Sequence, residues 1–357
     1  MEPWELNAQS ARAARDSSLA KVEPELLGIP DSLPVNSQGL PGIVLSSREI
    51  EITEEYSVTE LLNALSQRAI SVEEATRAFL RRAALAQIAT NCLTELLWDQ
   101  AIARARYLDS LPEPRGALFG LPISTKEHHG MVGDNVATHA SYACWVGKAH
   151  GSNLLYDTLW DEGCVFFART TQPQTIMHLE TNSNIFGRTV NPFNRNLTPG
   201  GSSGGEAALI GMRGSLLGIG GDIGGSIRCP AAHVGIYGFK PTTRRISLAG
   251  QRSHMVGKEA IIGTPGPMAA DRVALELIMR VALAAQPWRV DPDLTVKAWV
   301  PYEIKQPLKI AVQWWDGVVR PHPPITRALR EVADACLKAG MKVVDWDIGE
   351  GSVSHHE

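Results

Sequence analysis

The sequence predicts an α/β fold, a central sheet with helices packed on it, on three observations. From Leu118 onward, short apolar runs bounded by turn residues (LFGLPIST, GCVFFARTT) alternate with a helix-like SNLLYDTLWDE. Such alternation belongs to a largely parallel or mixed sheet covered by helices. Near the C-terminal end, LKIAVQWW (308–315) and MKVVDWDI (341–348) flank a helical pattern from about Ile325 to Ala339, a β-α-β unit. Composition is the third: 357 residues, 44% hydrophobic and 20% charged, supply a sizeable core for one large domain or two fused ones.

Residues 1–45 are expected to form an N-terminal arm: a helical patch, then the Pro/Gly/Ser-rich GIPDSLPVNSQGLPG, crossing the surface away from any chemistry. Three helix signals follow. Ser57 with Glu60 and Ser71 with Glu74 are capping-box patterns, and an amphipathic run extends from about Thr94 to Leu108. The alternating segments then lead into a glycine-rich block, and the main domain is expected to occupy 46–348. Residues 349–357, GEGSVSHHE, read as a polar tail.

Net charge is −4 and no run of Lys or Arg is long enough for a nucleic-acid footprint, so a small neutral partner is expected and no nucleic acid. The five cysteines (Cys92, Cys144, Cys164, Cys229, Cys336) are scattered without C-x-x-C spacing and are expected as buried, reduced thiols. MEPWELNAQSARAARDSS has no apolar h-region, and no segment approaches the roughly 20 apolar residues of a membrane span. A cytoplasmic location with no transmembrane segment is the expectation.

Eleven of the 32 glycines fall between Gly200 and Gly225, in TPGGSSGGEAALIGMRGSLLGIGGDIGGSIRCP (198–230). Glycine in ordered structure costs stability, so a dense cluster points to close backbone approach or repeated positive φ. A phosphate cradle lacks its G-x-x-x-x-G-K-[ST] pattern. Both G-x-S-x-G matches lack the buried strand that a nucleophile elbow requires, since polar NRNLTP precedes them. What remains is a pair of serine-bearing turns joined by the helix EAALIGMRG. In DIGGSIR the backbone N–H groups of Ile223, Gly224, Gly225 and Ser226 can converge beside the Ser226 hydroxyl, as an oxyanion hole requires. Tight structural turns with serines filling hydrogen bonds would produce the same string.

A serine needs a base. His128, His129, His139, His178 and His233 carry no spacing that marks one as the base, and there is no H-E-x-x-H zinc pattern. Lys126 ends the apolar strand LFGLPIST, where desolvation can leave a neutral amine.

Together, GLPISTKE, GRTVNPFNRNLTPGGSSGGEAALI and GIGGDIGGSIRCPAAHVGIYGFKPT resemble the amidase signature family of serine hydrolases, most of all its fungal acetamidase and general amidase branch. The resemblance runs more weakly from about residue 45 to 348. It implies the amidase signature fold, with a central mixed β-sheet covered by helices on both sides. It also implies Ser226 as nucleophile, Ser202 as a bridging serine on a cis peptide, and Lys126 as base, hydrolysing a carboxylic amide through an acyl-enzyme. Ile223 to Ser226 would hold the oxyanion, and Ser203, Asp222 and Arg228 would fix the loops. No metal or cofactor is expected. The partner is a small-molecule amide, with Met177 and the segment around Trp145 lining the acyl pocket.

Two departures stand out. Gly221 occupies a position where the family has Thr or Ser before the aspartate. Family members also continue past the point where the resemblance stops, so the C-terminal part of the domain is expected to be missing. A shortened sheet would expose apolar faces and an unpaired edge, and so favour association, with a homodimer one outcome. Two alternatives follow: an inactive remnant or binding module, and an amidotransferase subunit delivering ammonia to charged transfer RNA. The absence of a basic run argues against the second.

Overall fold

A six-stranded mixed sheet organises residues 1–299 in the computed structural model, which describes residues 2–132, 136–255, 257–303 and 306–346. Its strands are β1 (Leu93–Leu96), β2 (Pro122–Lys126), β3 (Val165–Thr170), β4 (Leu217–Asp222), β5 (Tyr237–Gly238) and β6 (Thr264–Ala269). The spatial order is β1-β3-β2-β4-β6-β5. The central pairs β3/β2 and β2/β4 are parallel, while β1/β3, β4/β6 and β6/β5 are antiparallel. Every residue of β2, β3, β4 and β6 is buried, which requires cover on both faces.

The helices that position the site are α1 (Pro3–Leu19), α2 (Val58–Ser66), α3 (Val72–Thr90), α4 (Trp98–Ser110), α5 (Leu154–Asp161), α6 (Gly204–Gly211), α7 (Arg228–Val234) and α8 (Arg272–Ala284). Ser57 closes the expected capping box with Glu60. Ser71 caps α3 by accepting from the Glu74 N–H, but the Glu74 carboxylate accepts from Arg48 Nε at 2.8 Å instead of turning back to the cap. The run from Thr94 to Leu108 is not one helix. Leu93–Leu96 pairs with Ala168–Thr170 as β1, and the helix begins at Trp98. An open ladder on β3 overrides the local helical pattern there.

The N-terminal segment also serves the sheet. The Leu96 N–H on β1 donates to Ser18 Oγ of α1 at 3.0 Å, and Ala8 and Ala11 are buried. An edge strand with its donor satisfied in this way is no longer open for pairing. All five cysteines are free; Cys92 and Cys164 are buried as expected, but Cys144 is exposed and Cys229 and Cys336 are half-buried.

Residues from Val300 form a second unit. β7 (Lys309–Val312) pairs in parallel with β8 (Lys342–Asp345) across the crossover helix α9 (Pro323–Lys338), the β-α-β unit that the sequence indicates. Both strands are shorter than their apolar runs. Ala333 is the buried residue of α9, and Ile325, Val332 and Leu337 are exposed. The expected tail, 349–357, lies outside the described residues. No helix among the described residues is long and apolar enough to cross a membrane.

Candidate active site

Parallel pairing of β2 with β4 sets Ser124 against Gly218 and Thr125 against Ile219. It brings the C-terminal ends of two neighbouring strands together, Lys126 on one and Asp222 on the other. Ligand sites of α/β sheets form at such strand ends. Between them comes the turn that enters α6, with Ser202 and Ser203 fully buried.

Lys126 Nζ is 2.6 Å from Ser202 Oγ, and the Gly201–Ser202 peptide is cis. Lys126 has no carboxylate in ion-pair contact among the described residues, and burial pulls its ammonium down to about 7, against the attraction of Asp222 and Glu206. Burial disfavours the charged form, which is the form that water solvates better. A neutral amine is thereby available near neutral pH.

The Ser203 N–H donates to the Ser226 carbonyl at 3.1 Å, and Ser203 Oγ lies 3.3 Å from both the Gly221 N and the Gly221 O. The two serine turns are thus tied to each other and to β4. Ser226 is 6% exposed and lines the cleft; its hydroxyl has no hydrogen-bond partner among the described residues. Lys126 and Ser202 are thus in hydrogen-bond contact, while no hydrogen bond joins Ser202 to Ser226 among the described residues. Catalytic hydrogen bonds commonly tighten only when substrate is bound.

Asp222 organises the loop that follows. Its Oδ1 accepts from the Gly225 N–H at 2.7 Å and its Oδ2 from Ile227 N at 3.1 Å, while Arg228 Nε and Nη2 each donate to it at 3.0 Å. Burial alone would raise the Asp222 carboxyl, but Arg228 and the loop amides outweigh it and hold it at about 2. The expected four-amide nest is corrected here. Gly225 N–H is committed to Asp222, leaving those of Ile223, Gly224 and Ser226 without partners among the described residues.

The glycine density now has physical reasons. Gly225 has φ +122°, a conformation that side chains rarely adopt. A Cβ on Gly205 would meet the Thr171 backbone N and O at 2.5 Å, so α6 approaches the end of β3 only without one. At Gly221 a Cβ would meet His129 Nε2 at 3.0 Å. The space that a side chain would fill at that departure is taken by the histidine.

Three of the candidate histidines are buried or nearly so, in settings of their own. His128 and His129 are buried against each other with ring centroids 4.1 Å apart, and burial, with the Lys126 charge adding to it, depresses both, His129 to about 3. His128 Nδ1 meets Gln172 Oε1 at 2.8 Å. His139 lies 3.6 Å from Glu127, which Arg169 also contacts at 3.2 Å.

The cleft in front of Lys126, Ser202 and Ser226 has about 160 Å³ of free volume, comparable with a cavity that admits benzene. Met177 lines it as expected. Trp145 does not; it packs against Tyr142 with Arg252 over its ring at 5.1 Å, and Arg252 faces the cleft. The opposite wall comes from a segment the motifs do not mark: Leu248, His254, Met255, Lys258, Ile261 and Ile262. Its described residues form no helix or strand, which explains why no periodicity announced it.

A buried lysine thus meets a buried serine, beside a second serine among open backbone amides. The chain belongs to the amidase signature family: the family model described as Amidase matches residues 74–355. It is 40% identical to a Schizosaccharomyces pombe protein named as an amidase, over 94% of this chain and 64% of that protein. An acetamidase of Emericella nidulans is 39% identical, over 99% of this chain and 67% of its own. Among solved structures, a fatty acid amide hydrolase superposes with a TM-score of 0.89 at 34% identity, covering 98% of this chain and 64% of that one. The chain therefore spans about two thirds of the length of these three relatives.

Proposed function

We propose that the chain hydrolyses a carboxylic amide to an acid and an amine or ammonia, by serine acyl transfer. Ser226 Oγ attacks the amide carbonyl while its proton passes to Ser202 Oγ, whose own proton passes to neutral Lys126 Nζ. The Ile223, Gly224 and Ser226 amides receive the oxyanion. When the C–N bond breaks, the relay runs backward and protonates the leaving nitrogen, leaving an acyl ester on Ser226. Water then attacks the ester through the same relay and releases the acid. Asp222, Arg228 and Ser203 hold the loops and do not react.

The observation that carries this reading is the 2.6 Å contact between fully buried Lys126 and Ser202. A charge-bearing lysine has no structural reason to be buried without a carboxylate partner. An inactive remnant would not need that arrangement, and family membership supports amide hydrolysis. Small aliphatic, aryl and fatty amides all remain within the proposal.

The test is turnover of a panel comprising acetamide, an anilide and a primary fatty amide, with the Ser226→Ala variant as control and hydroxylamine present to trap an acyl-enzyme as hydroxamate. Release of ammonia or amine, and of hydroxamate, from the wild type, all absent in the variant, support the mechanism. Amine release that survives Ser226→Ala rejects it.

A further inference from the structure

One buried titratable group beside Lys126 has no part in the reaction above. Glu206 lies in the first turn of α6 and is 0% exposed. Its Oε1 accepts from Thr170 Oγ1 of β3 at 2.7 Å, and its Oε2 lies 2.7 Å from Ser124 Oγ of β2. Ser124 Oγ is also 2.9 Å from Ser215 Oγ, which in turn is 2.9 Å from the Leu217 carbonyl oxygen on β4.

Counting hydrogens gives this row a direction. A carbonyl oxygen only accepts, so the single hydrogen of Ser215 goes to Leu217. Ser215 Oγ is then the acceptor of the single hydrogen of Ser124. Ser124 therefore has none left for Glu206, and a 2.7 Å oxygen–oxygen contact there requires a hydrogen on the carboxyl. Thr170 has one competing acceptor, the Thr125 carbonyl at 3.4 Å, too distant to draw its hydrogen from Glu206.

We propose that Glu206 is held as a neutral carboxylic acid, the donor that starts an ordered chain from Glu206 through Ser124 and Ser215 to the Leu217 carbonyl. It is a positioning residue. It ties α6, which follows Ser202, to the strands on either side of Lys126 while placing no counter-anion near that lysine. An ionised Glu206 would stabilise the Lys126 ammonium and leave less of the neutral amine near pH 7, so the inference rests on reading Lys126 as the base.

The surroundings agree. A Cβ at Gly218 would meet Glu206 Oε2 at 1.9 Å, so the carboxyl is pressed against bare backbone. Burial pushes Glu206 up to about 7, although hydroxyl contacts and Lys126 pull the other way. The ordered chain removes one of those pulls, because the Ser124 hydrogen points to Ser215. The titratable groups facing Glu206 are Lys126 on β2, Tyr156 on α5 and Cys92 ahead of β1; burial keeps Tyr156 and Cys92 neutral, Cys92 pushed up to about 12.

Glu206→Gln and Glu206→Ala test the proposal. Glutamine can accept from Thr170 and donate an amide hydrogen to Ser124, reproducing the chain. We expect the infrared spectrum of wild type at pH 6 to contain a protonated-carboxyl carbonyl band that Glu206→Gln removes. We also expect Glu206→Ala to lower the melting temperature by about 5 °C or more and Glu206→Gln to restore it to within about 3 °C. The pH midpoint of serine labelling by a fluorophosphonate should be the same in Glu206→Gln as in wild type. A wild-type spectrum without that band overturns the proposal, as does a labelling midpoint shifted by about one unit or more in Glu206→Gln. Should wild type fail to label at any pH, the base reading falls while the infrared band still decides the state of Glu206.

Discussion

Replacing Lys126 by methionine separates the two things this residue does, because it should abolish reactivity and stabilise the fold in a pH-dependent way. The folded value of about 7 against an ordinary 10.5 means that, between these pH values, the unfolded chain binds more protons than the folded one. Stability of the wild type therefore rises with pH across that window. Integrating the linkage, the buried lysine costs about 4 kcal/mol at pH 7 and about 2 kcal/mol at pH 9. Methionine removes this cost but strips Ser202 Oγ of its 2.6 Å partner, a loss of about 1–3 kcal/mol that does not vary with pH. At pH 7 the variant should then be more stable by about 1–3 kcal/mol, and from pH 7 to 9 wild type should recover about 2 kcal/mol relative to it. Urea denaturation of both proteins at the two pH values measures this. Other titrating groups are common to both proteins and cancel in the difference. A stability difference that does not change between pH 7 and 9 would refute the argument, since it would mean that Lys126 keeps its ordinary proton affinity.

Three further outcomes follow from the same geometry. Serine labelling of wild type should rise as pH rises through about 7, when Lys126 loses its proton; Asp222, held at about 2, keeps its loop contacts down to strongly acid pH and should add no limb above pH 4. Arg228→Met should slow labelling by about three- to tenfold and no more, because the Arg228 side chain is 55% exposed and its ion pair is screened; a hundredfold loss would give Arg228 a direct role. Gly205→Ala drives a methyl group into the Thr171 backbone at 2.5 Å and should cost about 1–3 kcal/mol in a melting experiment, with an unchanged melting temperature counting against this packing of α6 on β3.

Sequence reading reached the residues whose types are chemically unusual for their place. Lys126 could be found because a cation closes an apolar strand, and Ser202 and Ser226 because glycine turns surround them. The strand–helix alternation exposed most of the sheet for the same reason, through period and punctuation. What it missed depends on three-dimensional company. Thr94–Leu96 has a helical pattern and became a strand because β3 offered a ladder. Gly225 belongs to the glycine turn, but whether its N–H is open depends on where Asp222 points. Glu206 in EAALIG looks like an ordinary solvated helix residue until Ser124 and Thr170 close over it. The described residues of the 248–262 wall of the cleft form no helix or strand and so give no periodic signal.

The most direct test of the central claim is intact-mass analysis of wild type, Ser226→Ala and Lys126→Met after treatment with a fluorophosphonate at pH 8, followed by peptide mapping. The account predicts one adduct on wild type, mapped to Ser226, and none on either folded variant. Folded wild type without an adduct, or an adduct that persists in Ser226→Ala, would contradict it.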